Sequence, residues 1–158
     1  MKTTFERLYG PAGWTNGQVR NILQGNTFFS GRFASSDYDP FCDLQADAAA
    51  ALLKLVPEPQ LQDRQNFAPT FKQLLQATCA NPEQMALDGY LIGPGRFDER
   101  VTIEAFTWKL GEDDPHSTVA PWQWLKERVF GDAEIAPPDE ISPVYVDQKL
   151  HGWWVWWD

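Results

Sequence analysis

Residues 85–109 read MALDGYLIGPGRFDERVTIEAFTWK and carry the clearest structural signal in the chain. Two runs rich in aliphatic, β-branched and aromatic residues, 86–93 and 100–109, flank the turn-forming sequence Pro-Gly-Arg-Phe-Asp. In the second run, apolar residues alternate with polar or aromatic ones, which is the period of two that a strand requires. The stretch therefore predicts a β-hairpin and, with it, an antiparallel sheet.

Helical patterns occupy the sequence before this hairpin. We predict helices at residues 16–24, 40–55 and 70–80, where apolar side chains recur three and four positions apart. The second helix has the strongest start signal, because Asp39 can cap it and Pro40 can take its first position. Its predicted apolar stripe consists of Phe41, Leu44, Ala48, Leu52 and Leu55. The N-terminal half is therefore expected to be mainly helical.

Apolar and polar residues alternate less regularly in the sequence after the hairpin. A fourth helix is predicted at residues 121–130, and strands are predicted at 143–147 and 152–157. Early helices followed by antiparallel strands are typical of the α+β class. We expect a single domain, residues 1–158, in which N-terminal helices pack on one face of a mostly antiparallel sheet built largely from the C-terminal half.

The net charge of −9 belongs entirely to the C-terminal half. Residues 1–79 contain seven basic and seven acidic side chains, whereas residues 80–158 contain six basic and fifteen acidic ones. Binding to nucleic acid requires a basic surface that faces the phosphates, so we expect no direct nucleic-acid binding. An acidic surface instead attracts and orients a basic protein, and a basic protein is the partner that we expect.

The C-terminal run GWWVWWD is the least ordinary feature of the sequence. As a strand it would place Trp153, Val155 and Trp157 on one face and Trp154 and Trp156 on the other. One explanation is a central strand that is buried on both faces. The other is an exposed tryptophan pair that anchors a partner, since tryptophan is enriched in interface hot spots.

These observations favour a non-catalytic protein-binding module, such as an inhibitor, an immunity-type protein or an assembly protein. It would dock a basic partner through its acidic, tryptophan-rich C-terminal half. The carboxylates would speed and orient the encounter, and the tryptophans would supply the buried anchors. The predicted partner-binding residues are Glu112, Asp113, Asp114, Asp132, Glu134, Asp139, Glu140, Trp154 and Trp156.

Two other functions fit the same sequence. An acidic protein could mimic nucleic acid by presenting carboxylates in place of phosphates. A small enzyme could use Cys42, His116 or the carboxylate pair Asp88 and Glu104, which lie on the two strands of the predicted hairpin. A place in the first turn of the predicted 40–55 helix would lower the pKa of the Cys42 thiol, whereas the nearby Asp39, Asp43 and Asp47 would raise it again.

No motif indicates a metal, a cofactor or a membrane segment. HExxH, CxxC and EF-hand patterns are absent from the sequence, so neither a cofactor nor a metal is expected. The first residues, MKTTFERLYG, lack the apolar core of a signal peptide, and no apolar run reaches the ~18 residues of a membrane span. With two cysteines in total, the protein is expected to be cytoplasmic and to keep its thiols reduced.

Overall fold

The computed structural model describes residues 7–29 and 38–158. The helices in these ranges are α1 (Gln18–Asn26), α2 (Ala46–Leu55), α3 (Glu58–Leu61), α4 (Phe71–Ala80) and α5 (Pro121–Phe130). The strands are β1 (Phe28–Phe29), β2 (Tyr38–Leu44), β3 (Met85–Ile92), β4 (Arg100–Lys109), β5 (Glu140–Val146) and β6 (Lys149–Trp156). They form one six-stranded antiparallel sheet in the order β1-β2-β3-β4-β6-β5. The predicted α+β class is confirmed.

The longer helices cover one face of the sheet, which we call the helical face. Alternation along β3 directs Met85, Leu87 and Leu91 to this face, where they join the core with Leu52 of α2 and Leu75 of α4. Helices α1 and α5 contribute to the same core. We call the opposite face the distal face. It carries the alternate residues of β3 and their cross-strand neighbours: Ala86, Asp88, Tyr90, Ala105, Thr107, Trp154 and Trp156.

The predicted helix at residues 40–55 is wrong in its first half, which forms the strand β2. Phe41 and Leu44 are buried, as their spacing predicted, but they are buried through pairing of β2 with β3. The pairing register shifts between these two residues, and Asp43 has a φ of 62°. Such a bulge lets residues three apart reach the same face of a sheet. Their spacing therefore fits a bulged strand as well as a helix.

The residues predicted to start that helix have other roles. Asp39 and Pro40 both lie within β2. Helix α2 begins six residues after Pro40, at Ala46, and has no side-chain cap. The Asp39 carboxylate is buried on the helical face and forms a 2.7 Å ion pair with the Arg20 guanidinium of α1. At the other end of the helix, Leu55 is exposed and does not join the predicted apolar stripe.

The other predicted elements agree more closely with the structure. α4 begins with the expected capping box, in which Thr70 and Gln73 each bind the other's backbone N–H. α5 spans the predicted residues, and the β3–β4 hairpin is confirmed. α1 starts later than predicted because Gly17, with a φ of 71°, is not helical. The short helix α3 was not predicted.

β4 extends past the end of β6, which pairs only with its residues 105–109. Beyond that point the side-chain amide of Gln60 occupies the position of a neighbouring strand. It donates to the Val101 carbonyl at 2.8 Å and accepts the Val101 N–H at 2.9 Å. The backbone N–H of Trp157 donates to the Glu104 carbonyl at 3.1 Å. These contacts satisfy backbone groups that an unpaired edge would leave open.

Candidate functional site

Two tryptophans of β6 stand on the distal face. Their neighbours Trp153 and Val155 are buried in the core, at 2% and 0% exposure. Trp154 and Trp156 remain half-buried, their ring planes lie within 11° of parallel, and their ring centroids are 6.5 Å apart. The run therefore enters the core with one face and presents two parallel indole rings with the other.

Cross-strand pairing aligns these tryptophans with carboxylates. Asp88 of β3 lies opposite Ala105 of β4, which lies opposite Trp156 of β6, which in turn lies opposite Glu140 of β5. Residues directly opposite one another point to the same face of an antiparallel sheet. The small Ala105 side chain leaves room between Asp88 and the indole rings. The sheet thus brings Glu140, a predicted partner-binding residue, to the same face as both tryptophans.

The Asp88 carboxylate occupies the centre of the distal face. One oxygen accepts the backbone N–H of Asp43 at 3.1 Å and so holds the β2 bulge in place. Burial raises the pKa of Asp88 above its usual value. Hydrogen bonds from the Asp43 N–H and from the Trp154 side chain oppose that rise in pKa without cancelling it. Asp88 therefore lies close enough to Trp154 for the two side chains to influence one another.

Glu104 supplies a second carboxylate next to the first. The β3–β4 register shifts after Asp88, from Ala105 to Ile103, so Glu104 is the extra residue of a bulge. Burial raises the pKa of Glu104, and the nearby negative charge of Asp88 raises it further. The paired carboxylates proposed from the sequence are thus neighbours, in surroundings that disfavour their ionised forms.

Two tyrosines flank the carboxylates on the side away from the tryptophans. The rings of Tyr38 and Tyr90 are 5.2 Å apart and tilted by 36°. Burial raises the pKa of Tyr38, and the charge of Glu104 raises it further. The Tyr90 hydroxyl accepts a 3.1 Å hydrogen bond from Arg100. The distal face therefore combines two carboxylates with aromatic rings on either side.

The structure does not assemble a cysteine–histidine site. Cys42 lies on a strand rather than at a helix start, and burial followed by the charge of Asp88 raises the pKa of its thiol. His116 contacts the Gly111 carbonyl and lies beside His151. β2 and β6 are separated by two strands, so Cys42 and His151 are at least about 14 Å apart. The proposed activation of Cys42 is therefore wrong.

Asp114, one of the predicted partner-binding residues, is directed inward. Its Oδ2 atom accepts hydrogen bonds from the indole N–H of Trp108 at 3.0 Å, the backbone N–H of Gly111 at 2.8 Å and the Gln84 side chain at 3.0 Å. Its Oδ1 atom lies 3.7 Å from the guanidinium of Arg128. Asp114 therefore organises the turn after β4 and offers little surface to a partner.

The other acidic residues that were predicted to bind a partner lie in separate parts of the structure. Glu112 and Asp113 follow the end of β4, where the Leu110 N–H binds the His151 carbonyl. Asp139 lies at the other end of β6, because its N–H binds the Trp156 carbonyl. The two ends are five residues apart along β6, or about 17 Å. Asp132 and Glu134 are exposed in the segment after α5. These predicted partner-binding residues are therefore dispersed rather than gathered on one surface.

The sequence pattern predicted the tryptophan pair, but it did not predict which residues lie beside it. Asp88 and Glu104 were predicted as a pair, but no sequence pattern indicated that aromatic rings lie on either side of them. Tyr90 could have been found, because it shares the alternation of Asp88 along β3. Tyr38 could not, because its strand was predicted as a helix from residue 40 onward.

Comparison with protein-family models, with curated proteins and with solved structures finds no match. Within residues 7–29 and 38–158, no three or more His, Cys, Asp or Glu side chains gather as a metal would require. None of the described helices combines the length and apolar character needed to cross a membrane.

Proposed function

We propose that the protein is a non-catalytic protein-binding module that docks a basic partner on its distal face, as an inhibitor, an immunity-type protein or an assembly protein would. One observation carries this proposal. The parallel rings of Trp154 and Trp156 share the distal face with the carboxylates of Asp88, Glu104 and Glu140. Aromatic faces and carboxylates are the two groups that attract the cationic side chains of a partner.

The charge distribution supports an electrostatic contribution to association. The net charge is −9, and exposed carboxylates lie at both ends of β6. A field of this sign raises the rate at which a basic protein meets the surface, and dissolved salt screens that field. The association rate should therefore fall as salt is added, while the dissociation rate should depend mainly on the buried anchors.

The distal face also has the energetic character of a binding surface. Asp88 and Glu104 are partly buried, and burial raises the pKa of each carboxylate. A cation placed beside them would favour their ionised forms. In the unbound protein, the ionised forms of these two carboxylates are therefore unfavourable, and a bound cation would stabilise them. Such a loss of stability in favour of function is common at functional sites.

The test uses affinity capture followed by kinetics with the purified partner. We expect the tagged protein to retain a basic protein at low salt and to release it at high salt. Trp156→Ala should weaken binding of that protein by about tenfold or more, as for an interface hot spot. Phe97→Ala, which removes a more exposed aromatic ring from the hairpin tip, should not. Equal binding by both variants, or association that is insensitive to salt, would contradict the proposal.

A small enzyme is a second candidate, favoured by the adjacent carboxylates Asp88 and Glu104. In two neighbouring carboxyl groups whose pKa values are raised, one group can act as a general acid and the other as a general base. Aromatic rings beside such a pair would suit a sugar. Turnover of chromogenic glycosides that disappears in Glu104→Gln would favour this function over the binding module.

A further inference from the structure

The carboxylates of the distal face have no internal counter-ion among the described residues. No ion pair joins Asp88 or Glu104 to a lysine or arginine of residues 7–29 and 38–158. Arg100, on this face, is bound to the Asp98 carboxylate at 2.6 Å and to the Tyr90 hydroxyl at 3.1 Å. Lys109 lines the same pocket as Asp88, and Arg64 lines the same pocket as Glu104, but neither forms an ion pair with that carboxylate. Two partly buried carboxylates without a cation are unfavourable, so a partner that supplies one positive charge would complement them.

The tryptophan pair indicates which cationic group of a partner would fit this face best. The two rings are within 11° of parallel, so they offer faces of one orientation to a flat group. A guanidinium group is planar, is weakly hydrated and stacks on aromatic faces, whereas an ammonium group is compact and strongly hydrated. Asp88 and Trp154 lie on the same face of the sheet, and the Trp154 side chain is close enough to Asp88 to lower the pKa of its carboxyl group. A guanidinium against the indole rings would therefore have a carboxylate nearby to accept its hydrogen bonds.

We infer that the distal face is a receptor for an arginine side chain of the partner. The guanidinium would lie against the indole rings of Trp154 and Trp156 and donate hydrogen bonds to the carboxylates of Asp88 and Glu104. Glu140, in the same cross-strand row as Trp156, would face the positive charges that flank the arginine. This inference rests on the proposed function and specifies which side chain of the basic partner enters the site.

Three matched peptides test the inference on the full chain. They are Ac-Gly-Arg-Gly-NH2, its lysine analogue with the same charge, and its citrulline analogue with the same shape but no charge. Binding is followed through the indole N–H signals of Trp154 and Trp156 in two-dimensional NMR spectra. We expect the arginine peptide to shift both signals with an affinity about fivefold or more above that of the lysine peptide, equivalent to about 1 kcal/mol. The citrulline peptide should shift neither.

Variants separate this inference from the proposed function. Glu104→Gln and Asp88→Asn should each reduce the preference for arginine, and retention of the native spectrum in either variant shows that the fold survives. Equal affinity for arginine and lysine, equal shifts with citrulline, or no shift with any peptide would overturn the arginine receptor. A captured partner that still depends on Trp156 would leave the proposed function standing in each of those cases. If the captured partner is also indifferent to Trp156, both fail.

Discussion

Replacing Asp114 with alanine should destabilise the protein, whereas replacing its neighbour Asp113 should not. The two carboxylates are adjacent in one acidic run, but Asp113 is exposed and Asp114 is 8% exposed. Three donors converge on Asp114 Oδ2, from Trp108, Gly111 and Gln84. Alanine removes this acceptor from all three donors, although the Gln84 amide keeps its 3.0 Å hydrogen bond to the Lys109 carbonyl. The two variants therefore lose the same charge, and only Asp114→Ala also loses internal hydrogen bonds.

The expected magnitude is dominated by Trp108. Its side chain is fully buried, so water cannot replace the lost acceptor, and an unsatisfied buried donor costs about 1–3 kcal/mol. Gly111 and Gln84 are partly exposed, and each should lose only about 0.5–1 kcal/mol. The free energy of unfolding should therefore fall by about 2–5 kcal/mol in Asp114→Ala. Asp113→Ala should stay within about 0.5 kcal/mol of the wild type.

Urea denaturation followed by far-UV circular dichroism measures both differences. A double-mutant cycle with Trp108→Phe, which removes the donor, should show a coupling of about 1–2 kcal/mol, because the cost of losing Asp114 shrinks when Trp108 no longer needs an acceptor. The reasoning is refuted if Asp114→Ala is as stable as Asp113→Ala. It is also refuted if the effects of the two cycle mutations simply add.

Three further predictions concern a helix start, the distal face and the sheet. Thr70→Ala removes an acceptor of the α4 capping box and should lower the free energy of unfolding by about 1 kcal/mol in urea denaturation, whereas Thr70→Ser should have little effect. Asp88→Asn should raise the Tm at pH 7, because a carboxylate whose pKa is raised on folding costs stability as the pH rises through that pKa. The gain should disappear below the ordinary aspartate pKa of about 3.9, and equal gains at both pH values would contradict it. Gly89→Ala would put a Cβ atom 1.9 Å from the Thr102 carbonyl oxygen and should lower the Tm sharply, whereas Gly25→Ala, with nothing within 4 Å, should not.

Elements with local signals were predictable from the sequence. The hairpin of β3 and β4 has its own turn residues, α4 has its own capping box, and α5 has proline at its first position. The failure at residues 40–55 has a physical cause. The spacing of Phe41 and Leu44 suits a helix, and only pairing with β3, more than forty residues later in the chain, selects the bulged strand.

The candidate site was predictable only where it depends on a local pattern. Alternation along β6 was enough to put Trp154 and Trp156 on one face. Their alignment with Asp88 depends on the strand order β3-β4-β6, which no local pattern encodes. Burial of Asp114 was equally hidden, because in the sequence it resembles the two acidic residues before it and differs only in its contact with Trp108.

The Gln60 amide that bonds to β4 has a consequence for how the protein behaves at high concentration. A bare strand edge is a template on which a second chain can add and from which fibrils can grow. At Val101 that template is already occupied by a side chain that imitates a peptide group at 2.8 and 2.9 Å. The Gln60 amide covers this edge without a further β-strand. Because a side-chain amide has no strand edge of its own, a second chain cannot add to the sheet at this position.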